Sequence, residues 1–449
     1  DLETVQTAEE LAAHVGAYLA SRLERRPGAV DRVAADPDRT EADTRILEAY
    51  NRIVLPGDTE AAATARPFLE PARRLWATEE TPRLDPAVVE AAFPQRIVPT
   101  SAGHLETFAK CPYRHFARSL LRLEPRPRGE VTPLENGRLA HRALEILHRR
   151  GAPPKDRAAI DALLRRIIEE IETEEEFRAY AFDPSGAFRL RSARRQLLHH
   201  LEIEAQRLEA AAFRPELFEQ EFGTAKVPPL QIPLIGGGVA LVRGRIDRID
   251  LLRSGGAVEA LVLDYKSNDL KNRSDLGNPV AVEQGFDLQI AVYLLVAEEV
   301  LGYRPYGGFY VPVLPRPVSS LGSNRRNPLD IRMRGIVPRD RKEEALGSLP
   351  LLRGVRGALP PDRDAVERLL VTLRGRIGRL AEEILAGRID VSPAGGKSRF
   401  PCDHCEFAAV CRFDRRRDPI RRTPFEGLVG GRDDEFSGKK EATDPDSIH

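Results

Sequence analysis

The sequence predicts an α/β protein, a sheet flanked by helices, with a helical lobe that its cysteines staple shut. Hydrophobic periodicity is helical from Ser101 to about residue 212, turns strand-like between Gln220 and Asp264, and returns to helix over about 287–300. A chain of 449 residues, 41% hydrophobic and 31% charged, has the composition of a globular protein able to bury a full core. Finally, all four cysteines can serve one object. Cys111 stands alone, and the others form Cys402-x2-Cys405-x5-Cys411, about 290 residues downstream. Four thiolates complete a tetrahedral zinc shell or one cubane iron–sulfur cluster, so a shared site would clasp the two ends of a domain.

Composition narrows the class further. Four cysteines are too few for a disulfide scaffold and suit a reducing, cytoplasmic compartment. No apolar run reaches the length of a membrane span and no signal peptide opens the chain, so no membrane partner is expected. The formal charge is zero, with nine Lys against 60 Arg, so any polyanion site must be a local patch. The first residue is Asp1 and the opening residues already read as a helix start, which suggests a piece of a longer polypeptide.

Along the chain, residues 1–97 read as a helical remnant of an upstream domain. A capping box at Thr7-Ala8-Glu9-Glu10 opens it, and breaks follow at Pro56-Gly57-Asp58, Pro67, Pro71 and Pro82. A capped helix starts at Ser101 and runs through Cys111 to about Leu121. Further helices are expected at about 134–150, 156–182 and 188–212. Strands follow at Gln220–Thr224, Val239–Leu252 and Val258–Asp264, with Arg253-Ser254-Gly255-Gly256 turning the last two into a hairpin. Then come a helix at about 287–300 and a strand near Gly307–Val313. Residues 315–360 are rich in Pro, Gly and Arg and read as a long connection. Asp364 is placed to cap a last long helix whose apolar stripe, from Val366 to Ile384, is core packing. The polar tail, 421–449, has the composition of a disordered segment.

The densest chemical signal is Gly244-Arg245-Ile246-Asp247-Arg248-Ile249-Asp250, followed by Leu263-Asp264-Tyr265-Lys266. Residues two apart on a strand share a face, so Asp264 and Lys266 project together. A hairpin brings Asp247 close enough to Asp264 for the two to share a divalent cation. Neighbouring carboxylates repel unless a cation separates them, and Mg²⁺ prefers oxygen ligands. Lys266 would then lie beside the cation, placed to orient a water nucleophile or neutralise charge developing on a phosphate. A strand-borne Asp-x-Lys is by itself a common ion pair. Asp250, three residues from Asp247, faces the other way and reads as structural.

The ordered series resembles the RecB-family exonucleases of the PD-(D/E)XK superfamily, in the iron–sulfur form found at the C-terminus of AddB-type helicase–nuclease subunits. It comprises Ser101, Leu105-Glu106, Cys111-Pro112-Tyr113-Arg114-His115-Phe116, Gly137-Arg138-Leu139-Ala140-His141, Glu221-Phe222-Gly223 and Gly244-x2-Asp247-Arg248-Ile249-Asp250. Asp264-Tyr265-Lys266, Gln289-x3-Tyr293 and the cysteine trio complete it. The resemblance covers roughly residues 98–415. It implies a restriction-endonuclease-like core, with a mixed sheet flanked by helices, and places the nuclease domain at 98–420.

Residue by residue, the resemblance makes His141, Asp247, Asp264 and the Tyr265 carbonyl metal ligands and Lys266 the catalytic lysine. Gln289 and Tyr293 become substrate-contacting residues near the scissile phosphate. Glu221 matches a further acid, with Glu219 as the neighbouring candidate. Cys111, Cys402, Cys405 and Cys411 would hold a [4Fe–4S] cluster, with zinc as the rival, and His404 sits inside their run. The implied activity is Mg²⁺-dependent exonucleolytic hydrolysis of single-stranded DNA fed by a helicase partner during double-strand-break processing. Tyr113, Arg114 and Phe116 can stack on the strand or simply pack. Gly395-Gly396-Lys397-Ser398 lacks the first glycine of a phosphate-binding loop, so no ATP hydrolysis is expected. Two other readings fit the same residues: a stand-alone four-cysteine nuclease of the CRISPR-adaptation type, and a non-catalytic DNA-binding module in which the cluster is architectural.

Overall fold

The computed structural model describes residues 82–123, 133–178, 180, 186–267, 276–314, 333–347, 359–395, 401–403, 405–411, 413, 420 and 421. The expectations for residues 1–81, for 315–332 and 348–358 of the long connection, for His404 and for 422–449 lie outside them.

In chain order the elements are α1 (Pro86–Ala92), β1 (Ile97–Thr100), α2 (Ala102–Lys110), α3 (Pro112–His115), α4 (Pro133–Arg150), α5 (Arg157–Glu172), α6 (Gly186–Ala210) and β2 (Arg214–Phe222). Next are β3 (Leu230–Pro233), β4 (Val239–Val242), β5 (Gly244–Ser254), β6 (Ala257–Lys266), α7 (Pro279–Gln284), α8 (Gln289–Glu299) and β7 (Arg304–Pro312). β8 (Arg334–Ile336), α9 (Lys342–Leu346), α10 (Arg363–Leu385) and α11 (Ala408–Cys411) complete them.

Five strands form the main sheet in the order β2-β5-β6-β7-β8. β6 and β7 pair in parallel and every other pair in that sheet is antiparallel, so the sheet is mixed. A parallel pair needs a crossover, and α8 supplies it. β5 and β6 are joined by the expected tight turn: Ser254 pairs with Ala257, and Gly255 and Gly256 have φ of 58° and 82°. A two-residue hairpin loop with both central residues left-handed asks for glycine at both. A second sheet, β1-β4-β3, flanks the first.

The main sheet separates two apolar cores. Along β6, Ala260 and Val262 join α2, α8 and α10 on one face, while Leu261, Leu263 and Tyr265 join α4, α5 and α6 on the other. The period of two therefore puts Asp264 and Lys266 on the α8 side and the Tyr265 ring on the α4–α6 side. Gly308 of β7 allows α8 to lie close. A Cβ there would come within 2.7 Å of Ile290 Cγ2 and still nearer to Val262.

Several expected elements differ in detail. The helix from Ser101 does start with a cap, the Ser101 hydroxyl accepting from the His104 N–H at 3.2 Å. It stops at Lys110, because a residue before proline is pushed to extended backbone. Cys111 has φ −163° and ψ 114°, and Pro112 opens a new helix that passes into a π-helical turn, Phe116–Leu120. The single expected strand 239–252 is two, and between them the Arg243 N–H donates to the Thr100 carbonyl. The cap of α10 is Asp362, which accepts from the Ala365 N–H at 2.8 Å, and not Asp364.

The described part of the expected upstream remnant is not separate. Val89 and Phe93 belong to the core of the main sheet, and the Leu84 N–H donates to the Gly387 carbonyl. Arg421, expected to open the tail, is part of the fold. Its guanidinium donates to the Ala109 and Ser392 carbonyls, both at 2.7 Å. No helix among the described residues is long and apolar enough to cross a membrane.

Candidate active site

Strand register assembles the site. The pairing of Arg248 with Leu263 sets Asp264 of β6 across from Asp247 of β5. On the other side of β5, the pairings Phe218 with Arg248 and Gln220 with Ile246 set Glu219 of β2 across from Asp247. Three carboxylates thus form a row over three adjacent strands. Glu219 sits at φ 47°, a backbone strain that a non-glycine residue adopts only where its surroundings enforce it.

Of the two glutamates weighed on β2, Glu221 is exposed and Glu219 is the one that faces the site. Its carboxylate, His141 and Asp247 each bring a ligand atom within 4.8 Å of one another, the one such group among the described residues. Arg245 also reaches Glu219, at 2.7 Å.

His141 comes from α4. Its Nδ1 lies 3.5 Å from Asp247 Oδ1 and its Nε2 is 3.0 Å from the Tyr265 carbonyl, while the Tyr265 N–H donates to Asp247 Oδ2 at 2.6 Å. Lys266 Nζ lies 2.5 Å from Asp264 Oδ2 and donates to Gln289 Oε1 at 2.5 Å. Asp264 Oδ2 is buried, and the Lys266 ammonium is the charge that faces it. Tyr293, one turn beyond Gln289 on α8, packs edge-on against Phe222. The structure therefore gathers His141, Asp247, Asp264, Tyr265, Lys266, Gln289 and Tyr293 into one place, and adds Glu219.

Charge is concentrated and under-compensated here. Burial pushes the Glu219 carboxyl up to about 7, with Asp247 adding to the push and Arg245 opposing it. Burial likewise raises the Asp264 carboxyl above its ordinary range, against the pull of Lys266 and with the push of Asp247. Burial pulls the His141 imidazole down, but the hydrogen bond and charge of Asp247, then Asp264 and Glu219, hold it above its ordinary value. Lys266 is raised in the same way, burial being outweighed first by Asp264 and then by Asp247 and Glu106.

The sign of the resulting pH dependence follows. Between the ordinary Glu value of 4.5 and about 7, the folded state keeps a proton that the unfolded state has lost. Stability therefore falls as pH rises through that window and stays lower above it. Asp264 and His141 act in the same direction. A divalent cation held here would favour the ionised acids, so MgCl₂ is expected to raise the melting temperature more at pH 8 than at pH 5.5. Calorimetry at both pH values checks this, and an equal shift at each would contradict it.

Behind the row, the Tyr265 ring enters a fully buried ion network. Its hydroxyl contacts Arg248 at 3.3 Å and His148 Nε2 at 3.3 Å. Arg248 pairs with Asp250 at 2.5 Å and Glu204 at 2.7 Å, and Arg207 pairs with Glu204 at 2.9 Å and Asp250 at 2.7 Å. Two cations face two anions, so the network is neutral. Asp250 is structural, as its spacing from Asp247 indicated. The partners on α4 and α6 carry no motif that would have marked them.

The cysteines converge as well. All four are free thiols, Cys111 buried and the trio half-buried. Burial, then the neighbouring thiols of Cys111, Cys405 and Cys411, push the Cys402 thiol up to about 12. Other ties join the same ends of the domain. Arg114 pairs with Glu406 at 2.6 Å, the Ala394 N–H donates to the Lys110 carbonyl, and the Tyr113 N–H donates to the Asp390 carbonyl. Arg114 is thus committed to an ion pair, and the Tyr113 and Phe116 rings lie 6.3 Å apart.

Comparison with known proteins agrees with this geometry. A family model described as the PD-(D/E)XK nuclease superfamily matches residues 99–412. Similar curated proteins are named as one subunit of an ATP-dependent helicase/deoxyribonuclease. That of Symbiobacterium thermophilum is 30% identical over 359 residues, covering 71% of this chain and 30% of the relative. Those of Moorella thermoacetica and Desulforudis audaxviator are 29% and 28% identical, covering 74% and 80% of this chain and 31% and 33% of the relatives. The chain spans about a third of the length of these relatives.

Proposed function

The chain belongs to the PD-(D/E)XK nuclease superfamily, and from that premise we propose that it is the nuclease part of a helicase–deoxyribonuclease, hydrolysing phosphodiester bonds of single-stranded DNA with Mg²⁺. The observation that carries this is the row Glu219, Asp247 and Asp264 across three strands, with His141 at one side and Lys266 at the other. The Asp264 carboxyl, buried and faced by the Lys266 ammonium, and the raised Glu219 carboxyl beside Asp247 make an acid row that a hard cation would compensate. His141, Glu219 and Asp247 would hold it, with Asp264 and the Tyr265 carbonyl beside them. When bound, Mg²⁺ supplies charge neutralisation at the phosphate and lowers the pKa of a water.

The chain's own residues do the rest. Lys266 presents its ammonium to the charge that develops as water oxygen adds to phosphorus and the bond to the leaving oxygen breaks. Gln289 holds that ammonium in place, and Tyr293, its phenol kept neutral by burial and by the nearby acids, borders the scissile position. A helicase as DNA-feeding partner is proposed from the names of the relatives.

The four thiols suit a [4Fe–4S] cluster. Cys402 lies beside Cys111, Cys405 and Cys411, so four thiolates would be on hand for one centre, with zinc as the rival to the cluster. One preparation made without oxygen tests both metals. Labelled linear single-stranded DNA should be cut with MgCl₂ and spared after chelation, and the protein should be brown and carry iron. Cleavage indifferent to chelator would sink the Mg²⁺ reading, and a colourless, zinc-loaded protein would sink the cluster.

A further inference from the structure

Helix α8 carries Gln289 and Tyr293 to the site, yet its own sequence does not cap it. Its N-cap position is Leu288, whose side chain is buried and offers no acceptor. The first N–H groups of a helix need partners from somewhere. Two come from outside. The Leu288 N–H donates to Glu106 Oε1 at 2.8 Å, and the Ile290 N–H donates to the Tyr310 hydroxyl at 3.3 Å. Tyr310 is in turn anchored by donating to Asp287, whose other oxygen accepts from the Gly277 N–H at 2.6 Å.

Glu106 lies on α2, 182 residues before Leu288 and five before Cys111. Its side chain is 16% exposed, and its second oxygen meets Lys110 at 3.4 Å. A half-buried carboxylate accepting a main-chain N–H makes a charge-assisted bond that fixes direction as well as distance. Through it, the helix that ends just before Cys111 sets where α8 begins. The residue directly after the held N–H is Gln289, which grips Lys266.

We propose that Glu106 is a positioning residue for the nuclease reaction: from α2 it caps α8 in trans and thereby holds Gln289, and through Gln289 the Lys266 ammonium, in working position. The inference rests on the nuclease reading for its kinetic part and on geometry alone for its capping part. It makes the four-cysteine end of the molecule mechanically continuous with the lysine without adding a group that touches DNA.

The test uses Glu106→Ala, Glu106→Gln, Gln289→Ala and the double variant Glu106→Ala/Gln289→Ala, with kinetics and amide hydrogen exchange. Alanine removes the acceptor. It should lower kcat by roughly tenfold with KM within about twofold, the signature of misplaced rather than missing chemistry. Glutamine keeps an acceptor oxygen and should restore most of the rate. The double variant should lose less than the product of the two single losses, because Glu106 acts mainly through Gln289 and only secondarily through its charge near Lys266. Exchange at the Leu288 amide should quicken in Glu106→Ala and not in Glu106→Gln.

Unchanged exchange at Leu288 overturns the proposal whether or not the chain cuts DNA. So does a wild-type kcat in Glu106→Ala, a Glu106→Gln as impaired as alanine, or a double variant whose losses multiply. A wild-type chain that cuts no DNA defeats the nuclease reading instead, and the exchange result still decides the cap.

Discussion

Lys266→Met is expected to lower the cleavage rate by about 10²- to 10³-fold while leaving DNA binding within a few-fold of wild type. Methionine keeps the length and apolar stem of lysine and loses only the ammonium. In the folded protein that ammonium is shared between Asp264 and Gln289, each at 2.5 Å, and Asp264 together with Asp247 and Glu106 holds it firmly protonated. A donor fixed in advance next to where charge develops is worth roughly this factor when removed. Asp264→Ala should be at least as inactive, for a different reason: it removes an acid of the row. The two separate by metal response. Raising MgCl₂ tenfold should recover part of the loss in Asp264→Ala and none in Lys266→Met. Initial rates on labelled DNA, with binding measured in the absence of cleavage, decide it. Activity of Lys266→Met within tenfold of wild type would remove lysine from the mechanism.

Arg248→Met should cost the fold about 3–5 kcal/mol, the loss typical of breaking a buried ion pair by removing one partner. Arg248 is fully buried between Asp250 and Glu204, and Arg207 alone would then face two anions. The histidines nearby cannot replace the charge. Burial lowers His200 to about 4 and holds His148 well below its ordinary value, with Arg248 itself contributing. Arg248→Met/Asp250→Leu removes one charge of each sign and should be less destabilised than the single variant, since neutrality is kept. Urea unfolding of the three proteins measures this, and equal loss in the single and double variants would refute it. The network also bears on the site, because the Tyr265 hydroxyl bonded to it belongs to the residue whose N–H and carbonyl touch Asp247 and His141.

The hairpin and its acids were legible in the sequence because every cue is local. Leu261-Val262-Leu263 marks a buried strand, Gly255-Gly256 marks a two-residue turn, and a spacing of two puts Asp264 and Lys266 on one face. The break at Cys111 was missed, because the apolar period runs through it and outweighs the proline that follows. Glu219 was not legible either. In a regular strand Glu219 and Glu221 are equivalent, and only the pairing of β2 with β5, with the left-handed turn of Glu219 itself, aims one of them at Asp247. The partners of Arg248 were equally hidden, since Glu204 and Arg207 look like any charged pair on a long helix.

By itself, then, the sequence determined the long helices, the central hairpin and the strand after them, the face of β6 that Asp264 and Lys266 share, and the acids, lysine and thiols to look for. These follow from periodicity, turn chemistry and residue type, which act over a few positions. Tertiary structure alone decided which glutamate completes the row, which cation network supports it, and that a carboxylate 182 residues away caps α8. Those depend on strand register and on helices meeting across the core. A one-residue slip or a small rotation would change them without altering any local pattern.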